Sequence, residues 1–246
     1  MESEAEFFWQ CAKRKTARLK SDPQDLFSSQ TASGINFDQY DAIEVSRSGN
    51  NCDQVKEVNG FSDIIELLPV KIAANIKRMG YEKPTPIQKH SIPLVLKAHR
   101  DVMCSAQTGS GKTCAFLLPT IALLDESSNS HSAEDLRAKP RILVLAPTRE
   151  LAQQIHLESL KICFGTELRC VCVYGGSSAR PQLESLADRV DVLVATPGRL
   201  TDFVDRNLVT LECIKFLVLD EADRMLDMGF EPQIRRIVER SNLPAK

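Results

Sequence analysis

The chain has 246 residues, 43% of them hydrophobic and 26% charged, which fits a soluble globular protein of one large domain or two small ones. A net charge of −2 supplies no global positive field, so any nucleic-acid contact must be local. The start, Met1-Glu2-Ser3-Glu4, has no apolar segment behind it and no run reaches membrane-spanning length, so secretion and membrane insertion are not expected.

Residues 1–60 are polar and carry no sustained period, which predicts a mostly disordered or extended tail. A basic cluster, Lys13, Arg14, Lys15, Arg18 and Lys20, reads either as a solvated face or as a contact for RNA or a protein partner. From Phe61 the pattern changes. Apolar residues at Ile64, Ile65, Leu67, Leu68, Ile72, Ile76 and Met79 keep helical spacing, and Gly80 supplies a stop. A second helix opens at Thr85-Pro86-Ile87-Gln88, with Thr85 as N-cap, Pro86 at the first position and Gln88 as the third residue of a capping box. Gln88 also suits bidentate pairing with adenine, and Tyr81 offers a ring for stacking; spacing does not choose between these readings.

Strand and helix then alternate. Strands are predicted at Val102–Ser105, Ile142–Leu145, Leu168–Val173, Val192–Ala195 and Phe216–Leu219. Helices are predicted near 112–124, 149–163, 178–187, 198–206 and 231–240. The polar stretch 125–139 reads as a surface loop. Continuous apolar strands between helices predict an α/β fold, a mostly parallel sheet with helices on both faces.

Chemistry is expected at the strand ends, because ligands of open α/β sheets bind beyond the carboxyl ends of the strands. Ala106-Gln107-Thr108-Gly109-Ser110-Gly111-Lys112-Thr113 has the form of a phosphate-binding loop, with Ala in place of its first Gly. Backbone N–H groups there would face phosphate, Lys112 would meet the β- and γ-phosphates, and Thr113 would offer a hydroxyl to Mg²⁺. Asp220-Glu221-Ala222-Asp223 places three acids in four residues behind an apolar strand. Asp220 is suited to Mg²⁺ and Glu221 to the attacking water. A helix start that attracts acids through its dipole is the plainer reading. Pro147-Thr148-Arg149 and Thr196-Pro197-Gly198-Arg199 both open helices. They read either as caps or as sites where free N–H groups and arginines meet a nucleic-acid backbone. None of the eight cysteines forms a C-x-x-C pair, so metal binding is not expected and a reducing, intracellular compartment is.

These residues together resemble the DEAD-box RNA helicases. Gly80–Gln88 resembles their Q motif, Ala106–Thr113 motif I, Pro147–Gln153 motif Ia, Gly175-Gly176 the GG motif, Thr196–Leu200 motif Ib, and Asp220–Asp223 motif II. The segment Gly34–Asp41 resembles the region upstream of the core in the Vasa-like branch. The resemblance implies a RecA-like fold and an ATP-dependent RNA helicase that hydrolyses ATP with Mg²⁺ and separates RNA strands locally. Tyr81 and Gln88 would select adenine, with Phe61 as the upstream aromatic, and Lys83 would also bind ATP. The loop Ala106–Thr113 would hold the phosphates. Thr113 and Asp220 would hold Mg²⁺, largely through water. Glu221, with Lys112 and Asp220, would be catalytic. Pro147, Thr148, Arg149, Gly175, Gly176, Thr196, Pro197, Gly198 and Arg199 would hold the RNA sugar-phosphate backbone, and Asp223 would couple motifs across domains.

The resemblance also implies a place of action in the cytoplasm, with RNA granules and the nucleus as further locations. Residues 61–246 are expected to be the first RecA-like domain. No Ser-Ala-Thr follows Asp223 before Lys246, so a C-terminally incomplete domain, without the second RecA-like domain and with weak or no turnover, is expected. Two other readings are a non-catalytic RNA- or partner-binding module with the same fold, and a DNA-directed translocase. The Q motif and the Asp-Glu-Ala-Asp spelling point away from the translocase.

Overall fold

The computed structural model describes residues 26–27, 43–50, 52–125, 137–187 and 189–241. The basic cluster 13–20, the segment Gly34–Asp41 and most of the 125–139 loop lie outside them. The described residues fall into two compact units. One comprises those within Ser21–Ser128 together with Lys161–Glu167; the other comprises those within Asn129–Leu160 and Leu168–Lys246.

The first unit is helical. After a short 3-10 turn at Cys52–Gln54 come α1 (Phe61–Ile65), α2 (Val70–Arg78), α3 (Pro86–Leu96) and α4 (Lys112–Asp125). The apolar period over 64–79 predicted a continuous helix, but the chain breaks at Pro69, whose ψ of 142° is extended. Proline has no N–H to continue a helix and disfavours helical geometry in the residue before it. Gly80 does stop α2: its φ is +73° and its N–H donates to the Lys77 carbonyl at 3.1 Å. Asn75, only 1% exposed, donates through Nδ2 to the carbonyls of Ile162 (2.9 Å) and Phe164 (2.7 Å). Those carbonyls sit at a helix C-terminus, where backbone oxygens lack partners of their own.

The second unit carries the sheet. Its elements are β1 (Ile142–Leu145), α5 (Arg149–Ile162), β2 (Cys170–Val173), α6 (Ala179–Leu186), β3 (Val192–Ala195), α7 (Pro197–Asp205), β4 (Phe216–Leu219), α8 (Ala222–Asp227) and α9 (Glu231–Arg240); the last two residues of α5 cluster with the first unit. The four strands are all parallel, in the order β2-β3-β1-β4. β1 and β3 are buried at every residue, as continuous apolar runs require. Leu143, Leu145, Val171, Val173, Leu193 and Ala195 share a core with Leu183 and Leu186 of α6, Leu200 and Phe203 of α7, and Ile237 of α9.

The opposite end of the strands is locked electrostatically. Arg141, just before β1, donates from Nε (3.1 Å) and Nη2 (2.7 Å) to Asp191 Oδ1, just before β3. Asp191 Oδ2 accepts the Arg169 N–H, before β2, at 2.9 Å. Arg189 adds a contact at 3.1 Å. Both Arg141 (4% exposed) and Asp191 (0%) are buried, so this pair is well supplied with hydrogen bonds rather than stranded.

Two expectations about the sheet change. Val102–Ser105 is not a strand: it is exposed, Met103 completely so, and among the described residues it joins no ladder. A strand is held by its neighbour's hydrogen bonds, so an apolar run without a partner does not form one. β4 is not a fully buried strand either. Among the described residues it pairs only with β1, its first three residues are half-buried, and Leu219 is 39% exposed.

Candidate functional site

The phosphate-loop residues lie in the first unit. Gly109 and Gly111 have φ of +81° and +86°, a backbone conformation that L side chains rarely adopt. Such turns point successive N–H groups toward one side, where an anion can sit. Ser110 is buried and its Oγ has no hydrogen-bond partner in the protein. An unpartnered hydroxyl between two positive-φ glycines is a donor that a phosphate oxygen would satisfy, so the loop fits a nucleotide phosphate. Lys112 Nζ donates to the carbonyls of Ala106 and, at 3.0 Å, Gln107. The ammonium therefore closes its own loop, at the point where a phosphate would offer a stronger acceptor. Thr113 is half-buried at the start of α4 and carries the hydroxyl suited to Mg²⁺.

Of the two readings of Gln88, the structure shows the capping-box one and adds a bond to the phosphate loop. Its Oε1 accepts the Thr85 N–H at 3.0 Å, which is the capping-box role, while Nε2 donates to the Gly111 carbonyl at 3.1 Å. Gln88 is only 1% exposed. The amide thus joins the start of α3 to the phosphate loop. Thr85 Oγ1 is buried without a partner, so the reciprocal half of the box is not closed by a well-formed bond. Phe61 lies against Tyr81, ring centroids 5.2 Å apart and planes tilted by 33°. Phe61 is 1% exposed and Tyr81 half-buried, so Tyr81 carries the accessible ring and Phe61 backs it. Lys83 is exposed two residues on.

The second unit holds the strand-tip residues. Ladder partners Leu145, Ala195 and Leu219 end β1, β3 and β4 level with one another, and Val173 of β2 aligns with Ala195. The segments from Ala146, Thr196 and Asp220 therefore leave the sheet at one edge, together with Tyr174-Gly175-Gly176. The fourth tip is β2, not the expected Val102–Ser105.

Asp220 extends β4: its N–H donates to Leu145 at 3.0 Å, and its side chain is 8% exposed. Its Oδ1 accepts the Glu221 N–H at 3.1 Å. Glu221 has φ +50°, ψ +50° as the N-cap of α8, a left-handed conformation that costs a non-glycine residue about 1–2 kcal/mol. The turn separates the two carboxylates, one buried at the strand end and one half-exposed. Arg224 Nη1 holds Glu221 Oε2 at 3.1 Å, a contact absent from the sequence reading. Asp223 is exposed on the first turn of α8.

Around the tip of β2, Arg149 places its guanidinium carbon 4.8 Å from the centre of the Tyr174 ring, and Gln153 Nε2 donates to the Tyr174 hydroxyl at 3.0 Å. Pro147 is buried, and Thr148 Oγ1 accepts the Leu151 N–H at 3.3 Å, a cap for α5. Thr196 and Pro197 take the N-cap and first positions of α7, yet the Thr196 hydroxyl does not cap the helix. It accepts the Gly175 N–H at 3.2 Å instead, tying β3 to the glycine loop. Arg199 Nη2 donates to the Ser177 carbonyl at 2.8 Å, and its guanidinium lies 5.4 Å from the Phe203 ring. An ideal Cβ on Gly175, Gly176 or Gly198 would meet nothing within 4 Å. Sequence reasoning found the glycines and arginines but missed Tyr174, Ser177 and Gln182. Tyr174 was discoverable from its place directly after a strand; nothing marked Gln182.

Among the described residues no cluster of His, Cys, Asp and Glu could hold a metal by itself, and no helix is long and apolar enough to cross a membrane. Burial pushes the Cys172 thiol up to about 12.

A family model described as DEAD/DEAH box helicase matches residues 85–246. DEAD-box ATP-dependent RNA helicase 52A of Oryza sativa subsp. japonica is 52% identical over 219 residues, covering 85% of this chain and 35% of that protein. The crystal structure of a DEAD box protein from Methanococcus jannaschii is similar at 34% identity and a TM-score of 0.64, covering 76% of this chain and 48% of that one. The yeast DEAD-box splicing factor Prp28 is similar at 29% identity and a TM-score of 0.72, covering 95% of this chain and 51% of that one. The chain therefore spans from about a third to about half of these relatives. With the parallel sheet and the Asp-Glu-Ala-Asp turn at the end of β4, this chain belongs to the DEAD/DEAH box helicase family, as an N-terminal RecA-like domain.

Proposed function

We propose that the chain binds ATP and RNA as part of an ATP-dependent RNA helicase that unwinds short RNA duplexes. The observation that carries this reading is the level ending of β1, β3 and β4, from which Thr148-Arg149, Thr196–Arg199 and Asp220–Asp223 leave the sheet together. Backbone amides and arginines at helix starts suit a sugar-phosphate chain, which such contacts grip without reading its sequence. Arg149 is exposed for this role, while Arg199 acts by holding the loop after β2.

In this reading the loop Ala106–Lys112 binds the triphosphate, Tyr81 and Gln88 favour adenine, and Lys83 adds charge beside them. Thr113 in the first unit and Asp220 in the second each carry an oxygen suited to Mg²⁺, which when bound would neutralise phosphate charge. Glu221, fixed by its left-handed backbone and by Arg224, orients and deprotonates water. Asp223 is assigned to coupling with other motifs. A position near Vasa-like helicases and a cytoplasmic place of action belong to the same reading.

The test is binding of a fluorescent ATP analogue and of single-stranded RNA by the chain, and ATP hydrolysis with and without RNA. Lys112→Ala should lose the nucleotide, and RNA should outcompete DNA of the same sequence. Nucleotide binding that survives Lys112→Ala, or equal affinity for DNA, contradicts the proposal. RNA binding with no nucleotide binding at all would leave the non-catalytic module instead.

A further inference from the structure

Gln182 lies on α6 beside Leu183 and Leu186 and is 8% exposed, a core-facing position where an amide is unusual. A buried amide must be satisfied, and all the bonds of this one go to a single loop. Its Oε1 accepts the Tyr174 N–H at 2.9 Å. Its Nε2 lies within hydrogen-bonding reach of the Tyr174 carbonyl (3.1 Å), Ser177 Oγ (2.7 Å) and the Ser178 carbonyl (3.3 Å). The same loop is tied from α7 by Arg199 on the Ser177 carbonyl and from the end of β3 by Thr196 on the Gly175 N–H.

The loop is thus fixed from beneath while its outer side is open. Nothing lies within 4 Å of where a Cβ would stand on Gly175, Gly176 or Gly198. Gly175 and Gly198 also lack the positive φ that would call for glycine. Neither backbone conformation nor internal packing explains those two glycines. Close approach of an outside molecule to the main chain does.

We propose that Gln182 is a positioning residue for RNA binding: it touches no RNA, but it sets the height and tilt of Tyr174–Ser178 so that the open glycine backbone meets the ribose-phosphate chain. This rests on the RNA-binding reading above. Because a 2′-hydroxyl contact is sensitive to loop position and nonspecific charge attraction is not, a displaced loop loses preference for RNA over DNA.

The experiment measures fluorescence anisotropy of the chain with a short single-stranded oligouridine RNA and with DNA of the same sequence. Gln182→Met keeps the length and removes the amide. The RNA Kd should rise about tenfold, the scale of one hydrogen-bonding group, with the DNA Kd moving less than about twofold. Gln182→Glu should lose at least as much, because a carboxylate would face the Tyr174 and Ser178 carbonyls. Ser177→Ala removes one acceptor at the half-buried loop and should weaken RNA about twofold. An unchanged RNA Kd in Gln182→Met, or RNA and DNA weakened equally, overturns the proposal. Should the Gln182 variants not fold, an unchanged RNA Kd in Ser177→Ala overturns it, and the expected RNA-selective weakening supports it. A wild-type chain with no preference for RNA sinks the RNA reading itself and this proposal with it.

Discussion

Gln88 occupies the space that a side chain on Gly111 would need. An ideal Cβ on Gly111 would stand 2.5 Å from Gln88 Nε2 and 3.1 Å from Thr85 Oγ1, while Nε2 donates to the Gly111 carbonyl at 3.1 Å. The phosphate loop and the start of α3 are therefore fitted to each other, whatever else each one binds.

Gly111→Ala and Gly109→Ala separate that contact from backbone strain. Both glycines have positive φ, but a Cβ on Gly109 would meet nothing within 4 Å. Gly109→Ala should cost about 1–2 kcal/mol from backbone strain, and Gly111→Ala roughly 1–3 kcal/mol more from the clash. Adding Gln88→Ala should recover part of the Gly111→Ala loss. Urea unfolding of the two single variants and the double variant reads this; equal losses for the two glycines would falsify the fit.

Removing the Lys112 ammonium takes away a group bonded to the Ala106 and Gln107 carbonyls. Lys112→Ala should weaken a fluorescent ATP analogue by about 2–3 kcal/mol, the scale of charge-assisted hydrogen bonds, roughly 30- to 150-fold. Stability should fall far less, because carbonyls at a surface loop return to water. Titration alongside thermal melting checks both halves.

The buried pair at the opposite end of the strands should respond asymmetrically. Asp191→Ala takes two hydrogen bonds from the buried Arg141 and removes the acceptor of the Arg169 N–H, whereas Arg141→Leu leaves Asp191 with Arg189 and that N–H. Losses of about 3–5 kcal/mol are expected for Asp191→Ala and less for Arg141→Leu. Equal unfolding midpoints for the two variants contradict this account.

His156 gives the unit a pH dependence. Burial lowers its pKa from the ordinary 6.5, against the opposing effect of its hydrogen bond to the Cys170 carbonyl at 3.3 Å. The folded protein therefore holds the ring neutral at pH values where the unfolded chain protonates it. Stability is full above 6.5 and falls as pH drops through 6.5 toward the folded pKa. The slope is at most about 1.4 kcal/mol per pH unit for one proton. His90 is lowered too, chiefly by burial, and acts in the same direction. Melting between pH 8 and 5 should show a shallower decline in His156→Gln than in the wild type.

Arg149 should act as a phosphate contact. Arg149→Ala is expected to weaken RNA binding similarly across sequences and to reduce the salt dependence of log K by about one ion's worth. Tyr174→Phe, which keeps the ring under Arg149 and loses only the Gln153 bond, should leave that slope unchanged. A slope unaltered in Arg149→Ala would assign that arginine to packing on Tyr174 alone.

Much of this protein was legible before any coordinates. Ile142–Leu145, Val192–Ala195 and Phe216–Leu219 are short apolar runs bounded by turn residues, and each became a strand with those bounds. The helix at Pro86 began where its Thr-Pro-x-Gln start signalled. The acidic turn and the Thr-Pro-Gly-Arg helix start sat where strand ends predicted. These features are local: propensity, caps and apolar period act within a few residues.

Sequence could not say that Val102–Ser105, equally apolar in pattern, would remain outside the sheet, because a strand exists only with a partner. Nor could it say that β4 would lie half-buried, that Thr196 would serve Gly175 instead of its own helix, or that Gln182 would fasten the loop after β2. The order of residues determined which segments were helices, strands and ligand-seeking turns. Tertiary structure decided which polar groups those turns kept free and which they gave to each other, because a hydrogen bond between residues far apart in sequence depends on where the packed backbone brings them.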